Sequence, residues 1–158
     1  MINALCNKVR TAFYWRKYPS RISIHSDSSA SNTDDAFKIA EHYDDDIGMD
    51  VFETYGDAFF DFSDEAYNFF LPKLIISSLR SNSGINLPVS SVLLYLDRSP
   101  TPEYWDEGLL GTFGTQTDQE LEAVHDWLNW LYLNSNDADD RETLERSKIT
   151  IELIRASR

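Results

Sequence analysis

The residues best suited to chemistry form a short acidic run, His42-Tyr43-Asp44-Asp45-Asp46, which combines an imidazole with three carboxylates. Clustered carboxylates repel one another, and a divalent cation with oxygen and nitrogen ligands relieves that repulsion. The spacing of a calcium loop is absent, because Gly48 stands in the wrong place and no glutamate closes the loop. Three interpretations stay open for this run: a metal site, a solvated acidic helix end and a protein-binding surface.

A second group of carboxylates, Asp57, Asp61, Asp64 and Glu65, lies among phenylalanines. Two such groups act as general acid and base only where their surroundings separate their pKa values. The sequence does not establish the necessary burial. A helix that begins after Ser63 explains Asp64 and Glu65, because negative charge is stabilising at a helix N-terminus. An acid–base pair is therefore kept as an alternative.

Motifs with known catalytic mechanics are absent from the chain. It contains no His-Glu-x-x-His, no Gly-x-Ser-x-Gly, no phosphate-binding glycine loop and no paired Cys-x-x-Cys. The histidines His25, His42 and His125 are far apart in sequence, and His125 beside an apolar helical face is typical of a hydrogen-bonded packing residue. We therefore assign no catalytic residue, no cofactor and no metal ligand, and we expect a protein that is not an enzyme.

The charge of the chain is large and unevenly distributed. The 158 residues carry a formal net charge of −13 at pH 7. Residues 1–26 hold five bases and no acid, whereas residues 27–65 hold thirteen acids and one base, Lys38. Because proteins bind nucleic acid phosphates through clustered Lys and Arg, we exclude nucleic acid and expect a basic partner. The basic residues 1–26 are expected to form the opposite pole of the domain or to pair with its acidic helices.

Length and cysteine content indicate one domain in a reducing compartment. A chain of 158 residues fits a single domain. The lone cysteine, Cys6, cannot form an internal disulfide. No stretch reaches the roughly 20 apolar residues that cross a bilayer, and Met1 to Leu5 lack the basic flank and apolar core of a signal peptide. We predict a cytoplasmic protein without membrane contact, a monomer or dimer when free.

The periodicity of apolar residues predicts a mainly α fold, a single-domain irregular bundle of about six to seven helices. The central helix follows Ser63 as its cap and is apolar on most sides to Leu79, and Pro72 should make it kink or restart. Flanking helices are predicted at about 2–15, 33–43, 88–96, 101–113, 117–132 and 138–156, with one helical turn at 50–55. The domain spans residues 1–158, and residues 134–158 form its C-terminal helical extension.

Local signals strengthen two of these helices. Thr117 and Glu120 form a capping box, in which each side chain satisfies the other residue's backbone donor. In the last helix, the pairs Arg141–Glu145 and Glu142–Arg146 have the four-residue spacing of surface ion pairs. Both helices are therefore expected to begin and continue where the pattern places them.

The run Phe62-Ser63-Asp64-Glu65-Ala66-Tyr67-Asn68-Phe69-Phe70-Leu71-Pro72 resembles the signature of a family of small acidic bacterial proteins of unknown function. Weaker blocks follow the same order, an N-terminal helix that ends near Pro19, a helix around Ala36 to Glu41 and a closing helix from Thr117 to Leu128. The resemblance covers about residues 2–133. It implies similarity to immunity proteins encoded beside secreted toxins, and no catalytic residue is carried over from it.

The preferred hypothesis is an immunity protein that binds a cognate basic toxin and covers its active-site cleft. The alternatives are a small metal-dependent or carboxylate-based hydrolase near residues 42–65 and an acidic phosphate mimic that inhibits a DNA-binding protein. Aromatic residues interleaved with the acids can supply anchors, although some must belong to the core: Tyr43, Phe52, Tyr55 and Phe59. The predicted partner-binding residues are Asp34, Asp35, Glu41, Asp44, Asp45, Asp46, Asp50, Glu53, Tyr55 and Asp57.

Overall fold

The computed structural model describes residues 1–25, 34–43 and 46–158, and within these ranges the chain forms nine α-helices. In chain order they are α1 (Ile2–Phe13), α2 (Asp35–Ala40), α3 (Met49–Thr54), α4 (Ala58–Asp61), α5 (Asp64–Ser81), α6 (Leu87–Leu96), α7 (Glu107–Gly111), α8 (Asp118–Asn134) and α9 (Ala138–Ala156). The predicted mainly α class is confirmed. The helices outnumber the predicted six to seven because the single turn predicted at 50–55 is the six-residue helix α3, and because the four-residue helix α4 was not predicted.

The central helix is α5, since α1, α3, α6 and α8 all pack against it. Its predicted cap is confirmed, because the Ser63 hydroxyl accepts a 3.2 Å hydrogen bond from the amide of Ala66. Twelve of its 18 side chains are buried, as a helix that is apolar on most sides requires. The helix continues without a break through Pro72, so it does not restart there, and the kink stays a prediction.

Aromatic rings around the start of α5 form the centre of the core. Phe62 stacks on Phe70 with 5.0 Å between ring centroids, and Phe59 meets Tyr67 edge to face at 5.2 Å. All four rings are buried. Such pairs stabilise a core beyond the apolar area that they remove from water. In this chain, the aromatic motif at residues 62–72 therefore specifies packing.

Two helix boundaries near the N-terminus differ from the prediction. The first helix ends at Phe13, two residues before Trp15. The second helix ends at Ala40, and residues 41–43 form a turn that carries Tyr43 to the surface. Its predicted caps, residues 32–33, lie outside the described residues.

The predicted helix at 101–113 is divided. Pro102–Tyr104 and Phe113–Thr115 are 3₁₀ turns, and α7 lies between them. The division follows from a cap that the pattern did not reveal: Asp106 Oδ1 accepts a 2.9 Å hydrogen bond from the amide of Leu109. An aspartate in this role has extended backbone geometry and starts a new helix.

The C-terminal segment packs on the core. Helix α9 lies against α8 and α6 and buries Leu144, Ile151 and Ile154 in the same core cluster as α5. Its bounds match the prediction. No helix in the described residues has the length and apolar character that crossing a membrane requires.

One of the two surface pairs predicted for α9 is present. Arg146 Nη1 lies 2.7 Å from Glu142 Oε1, which confirms that pair. The pair between Arg141 and Glu145 is wrong. The Arg141 guanidinium instead donates to the carbonyl of Ser135 at 2.8 Å, and Glu145 pairs with a lysine three residues on at 2.8 Å.

The fully buried carboxylate of Glu120 joins the segment after α1 to the start of α8. Arg16 donates to it twice, from Nε to Oε1 at 2.7 Å and from Nη2 to Oε2 at 2.8 Å. The amide of Thr117 donates to Oε2 at 2.7 Å and the amide of Glu120 to Thr117 Oγ1 at 3.2 Å, so the predicted capping box is confirmed. A buried charge is tolerated only when it is paired and hydrogen-bonded, and here both conditions are met.

We expect Glu120→Gln to lower the free energy of unfolding by about 3–5 kcal/mol, because it leaves the largely buried Arg16 guanidinium without its counter-charge. Urea denaturation followed by circular dichroism measures the change. The matched control is Glu122→Gln, two residues along α8, where an exposed carboxylate pairs with Lys8 at 2.5 Å. Glu122→Gln should lower the free energy of unfolding much less, because an exposed ion pair stabilises a protein only slightly. Equal losses for the two variants would contradict the role given to the buried pair.

Candidate functional site

An isolated antiparallel bridge brings the N-terminal segment to the end of α4. Ser23 pairs with Phe62, the amide of Ile24 donates to the Asp61 carbonyl at 2.8 Å, and the amide of Ser63 donates to the Ile22 carbonyl at 2.8 Å. The bridge places the side chain of His25 beside that of Asp61. Residues 36 positions apart in sequence thereby share one surface.

Three potential ligand groups meet at this surface. His25 Nε2 lies 3.2 Å from Asp61 Oδ1, and the Ser23 hydroxyl donates to Asp34 Oδ2 at 3.0 Å. One ligand atom from each of His25, Asp34 and Asp61 lies within 4.8 Å of the others. The neighbouring carboxylate, Asp35, accepts a 3.0 Å hydrogen bond from the amide of Asp57. We call His25, Asp34, Asp35 and Asp61 the acidic cluster.

The surroundings of Asp61 shift the pKa of its carboxyl. The pKa of Asp61 is raised, mainly because partial burial disfavours the carboxylate; the hydrogen bond from His25 opposes the rise, and the charges of Asp34 and Asp35 add to it. Partial burial also raises the pKa of Asp64, at the start of α5. No lysine or arginine of the described residues forms an ion pair with the cluster's carboxylates, and residues 26–33 and 44–45 contain neither amino acid.

The structure brings together three of the predicted partner-binding residues. Asp34 and Asp35 are half-buried at the start of α2, and Asp57 is exposed just before α4. Asp44 and Asp45 lie outside the described residues.

The other predicted residues lie apart from this cluster, along α2 and α3. Glu41 is exposed, with Oε1 3.8 Å from the amine of Lys38. Asp46 is exposed and pairs with an arginine of α5 at 3.2 Å, Asp50 is exposed on α3, and Glu53 accepts a 2.9 Å hydrogen bond from an asparagine amide. Tyr55 is half-buried against the core.

The predicted aromatic anchors divide between core and surface. Phe52 and Phe59 are 0% and 1% exposed, so they belong to the core and cannot contact a partner. Tyr43 is 45% exposed and lies 4.7 Å, centroid to centroid, from the ring of Tyr18. Tyr18 is also exposed, and it extends this aromatic surface toward α5 through an edge contact with Phe69 at 5.6 Å.

A separate groove of about 480 Å³ lies between α1, the start of α3 and α5. Its apolar lining consists of Phe13, Ile47, Met49, Phe69, Pro72 and Ile76. Four bases, Arg10, Arg16, Lys73 and Arg80, and a single acid, Asp46, also line it. We call it the cationic groove.

The sequence did not indicate either arrangement as a site. His25 was known only as a lone histidine, and the bridge that positions it is a long-range contact between irregular segments. The bases of the groove come from α1 with the segment that follows it and from α5, which are far apart in sequence. The uneven distribution of charge along the chain was the one available signal. It identified the acidic region that contains the cluster's carboxylates, but it did not show how they come together in space.

Comparisons with protein-family models, with curated proteins and with solved structures each found no match. The family resemblance of the motif at residues 62–72 therefore stays a prediction.

The raised pKa of Asp61 predicts a pH-dependent effect on stability. The native state favours the neutral carboxyl, so the cost of the carboxylate is absent below the ordinary aspartate pKa and grows as the pH rises through the raised value. We expect Asp61→Asn to be more stable than the unsubstituted protein at neutral pH, with a gain that shrinks as the pH falls. Chemical denaturation over a pH series measures this difference.

The control for this series is Asp50→Asn, an exposed carboxylate outside the cluster. Its stability should stay within about 0.5 kcal/mol of the unsubstituted protein at every pH. A gain for Asp61→Asn that is constant over the series would show that its cause is not the ionisation of this carboxyl.

Proposed function

We propose that this protein is a non-catalytic binder of a basic protein, and that it acts as an immunity protein by covering the basic cleft of a secreted toxin. The observation that supports the proposal is the acidic cluster. Its carboxylates converge from α2 and α4, and no lysine or arginine among the described residues neutralises them. A partner that supplies lysine or arginine side chains would form ion pairs with carboxylates that the fold already holds close together.

Two carboxylates elsewhere in the fold are each paired with an arginine. Glu120 is bound by Arg16, and Asp97 is bound by Arg146 at 2.6 Å. The fold therefore supplies a base to each of these two carboxylates. Within the protein, the carboxylates of the acidic cluster have hydrogen-bond partners but no ion pair with a lysine or arginine of the described residues, and this leaves them available to a base from outside.

The wider surface supports an encounter with a basic partner. A net charge of −13 attracts a basic protein over a distance and raises the association rate at low salt. Helix α2 carries the acidic cluster at its start and is followed by the exposed ring of Tyr43. Exposed tyrosines are frequent among the residues that carry binding energy, and the contact between Tyr43 and Tyr18 presents two of them together.

The test is a pull-down from the native cell lysate with tagged protein, followed by binding measurements with the recovered partner. We expect one basic protein in near-equal amount, and affinity that falls with salt. The triple variant Asp34→Asn, Asp35→Asn, Asp61→Asn should bind at least about tenfold more weakly, because charged contacts desolvated at an interface are each worth 1 kcal/mol or more.

The control removes the same amount of charge elsewhere. Glu103→Gln, Glu107→Gln and Asp139→Asn change three exposed acids that lie on other elements. This variant should slow association slightly and keep most of the affinity. Equal weakening by both triple variants would show that net charge acts without a specific site and would contradict the proposal. A recovered partner that is a DNA-binding protein would favour the phosphate-mimic alternative.

A metal-dependent hydrolase is the second candidate, and the ligand geometry of the acidic cluster favours it. An imidazole nitrogen and two carboxylate oxygens within 4.8 Å of one another suit Zn²⁺ or Mn²⁺. A cation there would also relieve the repulsion between the carboxylates of Asp34 and Asp61. The nearby carboxyl of Asp64, with its raised pKa, would be the candidate acid.

Titration calorimetry and thermal unfolding with Zn²⁺ and Mn²⁺ distinguish the two candidates. If the cluster is a metal site, either ion should raise the melting temperature, and His25→Ala should abolish the rise. His125→Ala, which removes a half-buried imidazole 3.1 Å from Glu152, is the control and should keep it. Absence of ion binding in the unsubstituted protein would rule out the metal-dependent candidate and leave the protein-binding proposal standing.

A further inference from the structure

The cationic groove has a charge opposite to that of the whole protein. Its lining contains four bases and one acid, a formal charge of +3, in a chain with a net charge of −13. Two of these bases are already neutralised. Arg16 is bound to Glu120, and Arg80 Nη1 lies 3.2 Å from Asp46 Oδ2.

The other two bases have no such partner. No carboxylate of the described residues lies within ion-pair distance of Arg10 or Lys73. Arg10 donates a 3.3 Å hydrogen bond to the side chain of Asn7, and Lys73 holds its amine 5.6 Å from the ring centroid of Phe69. Two cations with free hydrogen-bonding capacity therefore stand on the α1 and α5 sides of the groove.

The groove also has an apolar surface to which three helices contribute. Phe13 comes from α1, Met49 from α3, and Phe69 and Ile76 from α5. A volume of about 480 Å³ lies within the usual range of small-molecule sites, which combine apolar walls with a few charged groups that orient the ligand. A highly charged ligand would leave the apolar walls unused, and a neutral one would leave the two cations unused.

We propose that the cationic groove binds a small amphipathic anion, a monocarboxylate with an aliphatic or aromatic body. The carboxylate lies between the Lys73 amine and the Arg10 guanidinium, which can bind it through charge-assisted hydrogen bonds. The apolar body lies against Phe13, Met49 and Ile76. This site is independent of the acidic cluster and of the proposed binding of a basic partner.

Decanoate is the probe, measured by titration calorimetry below its critical micelle concentration. Decanol and decyltrimethylammonium have the same alkyl chain with a neutral and a positive head. We expect saturable binding of decanoate with a stoichiometry of one, clearly weaker binding of decanol and none of the cation. Equal binding of decanoate and decanol would reduce the groove to a generic apolar surface and overturn the proposal, as would failure of decanoate to bind.

Substitutions locate the site. The double variant Arg10→Gln, Lys73→Gln should weaken decanoate binding about tenfold or more, because it removes two charge-assisted hydrogen bonds. Lys17→Gln removes a positive charge from an exposed lysine outside the groove lining, and it should change the affinity less than twofold. Circular dichroism of each variant checks that the fold is retained.

An acidic peptide is the competing occupant. A short peptide with alternating leucine and glutamate, acetylated and amidated, tests it in the same titration. The proposal is supported if a second free monocarboxylate displaces bound decanoate and the peptide does not. Tighter binding of the peptide than of decanoate would assign the groove to a protein partner and overturn it.

Discussion

The arrangement of the bundle depends on the buried ion pair between Arg16 and Glu120. The carboxylate has no exposed surface, so it must receive all of its hydrogen bonds from the protein. It receives two from Arg16 and one from the amide of Thr117, and these bonds fix the segment after α1 against the first turn of α8. Helix α1 then forms one wall of the cationic groove, and α8 forms the support on which α9 packs.

The ion pairs of the basic N-terminal region also explain which acids of the fold remain without a base. The basic N-terminal region gives Arg16 to Glu120, and it gives Lys8 to Glu122 and Asp126 at 2.5 and 2.6 Å. Those bases neutralise α8 and are not available to the acids of α2 and α4. Arg21 lies close to the cluster, but its guanidinium donates to two backbone carbonyls of the bridge segment at 2.8 and 2.7 Å, and it forms no ion pair with the cluster's carboxylates. Net charge alone does not reveal this, since it counts acids and bases without their partners.

Local signals in the sequence predicted local structure well, and they failed where contacts are distant. The capping box of Thr117 and the bounds of α9 depend on neighbouring residues, and both are confirmed. The bridge between Ser23 and Phe62 joins segments 39 residues apart through one backbone pairing, so no periodic pattern marks it. The cluster around His25 depends on that bridge. Likewise, Phe52 interleaves with acids in sequence as an anchor would, but its side chain faces the core.

The two proposed binding surfaces both adjoin the central helix, one before its start and one along its middle and end. The acidic cluster comes from the start of α2 and the end of α4, and the chain passes from Asp61 through the cap Ser63 into α5. Lys73 lies in the middle of α5, and Arg80 lies in its last turn, where the dipole stabilises a cation. Lys73 is nine residues after the first residue of α5, about 13.5 Å along the helix axis, which exceeds the roughly 8 Å over which physiological salt screens exposed charges. The central helix therefore separates the basic side chains of the groove on α5 from the carboxylates at and before its start, which weakens their mutual attraction.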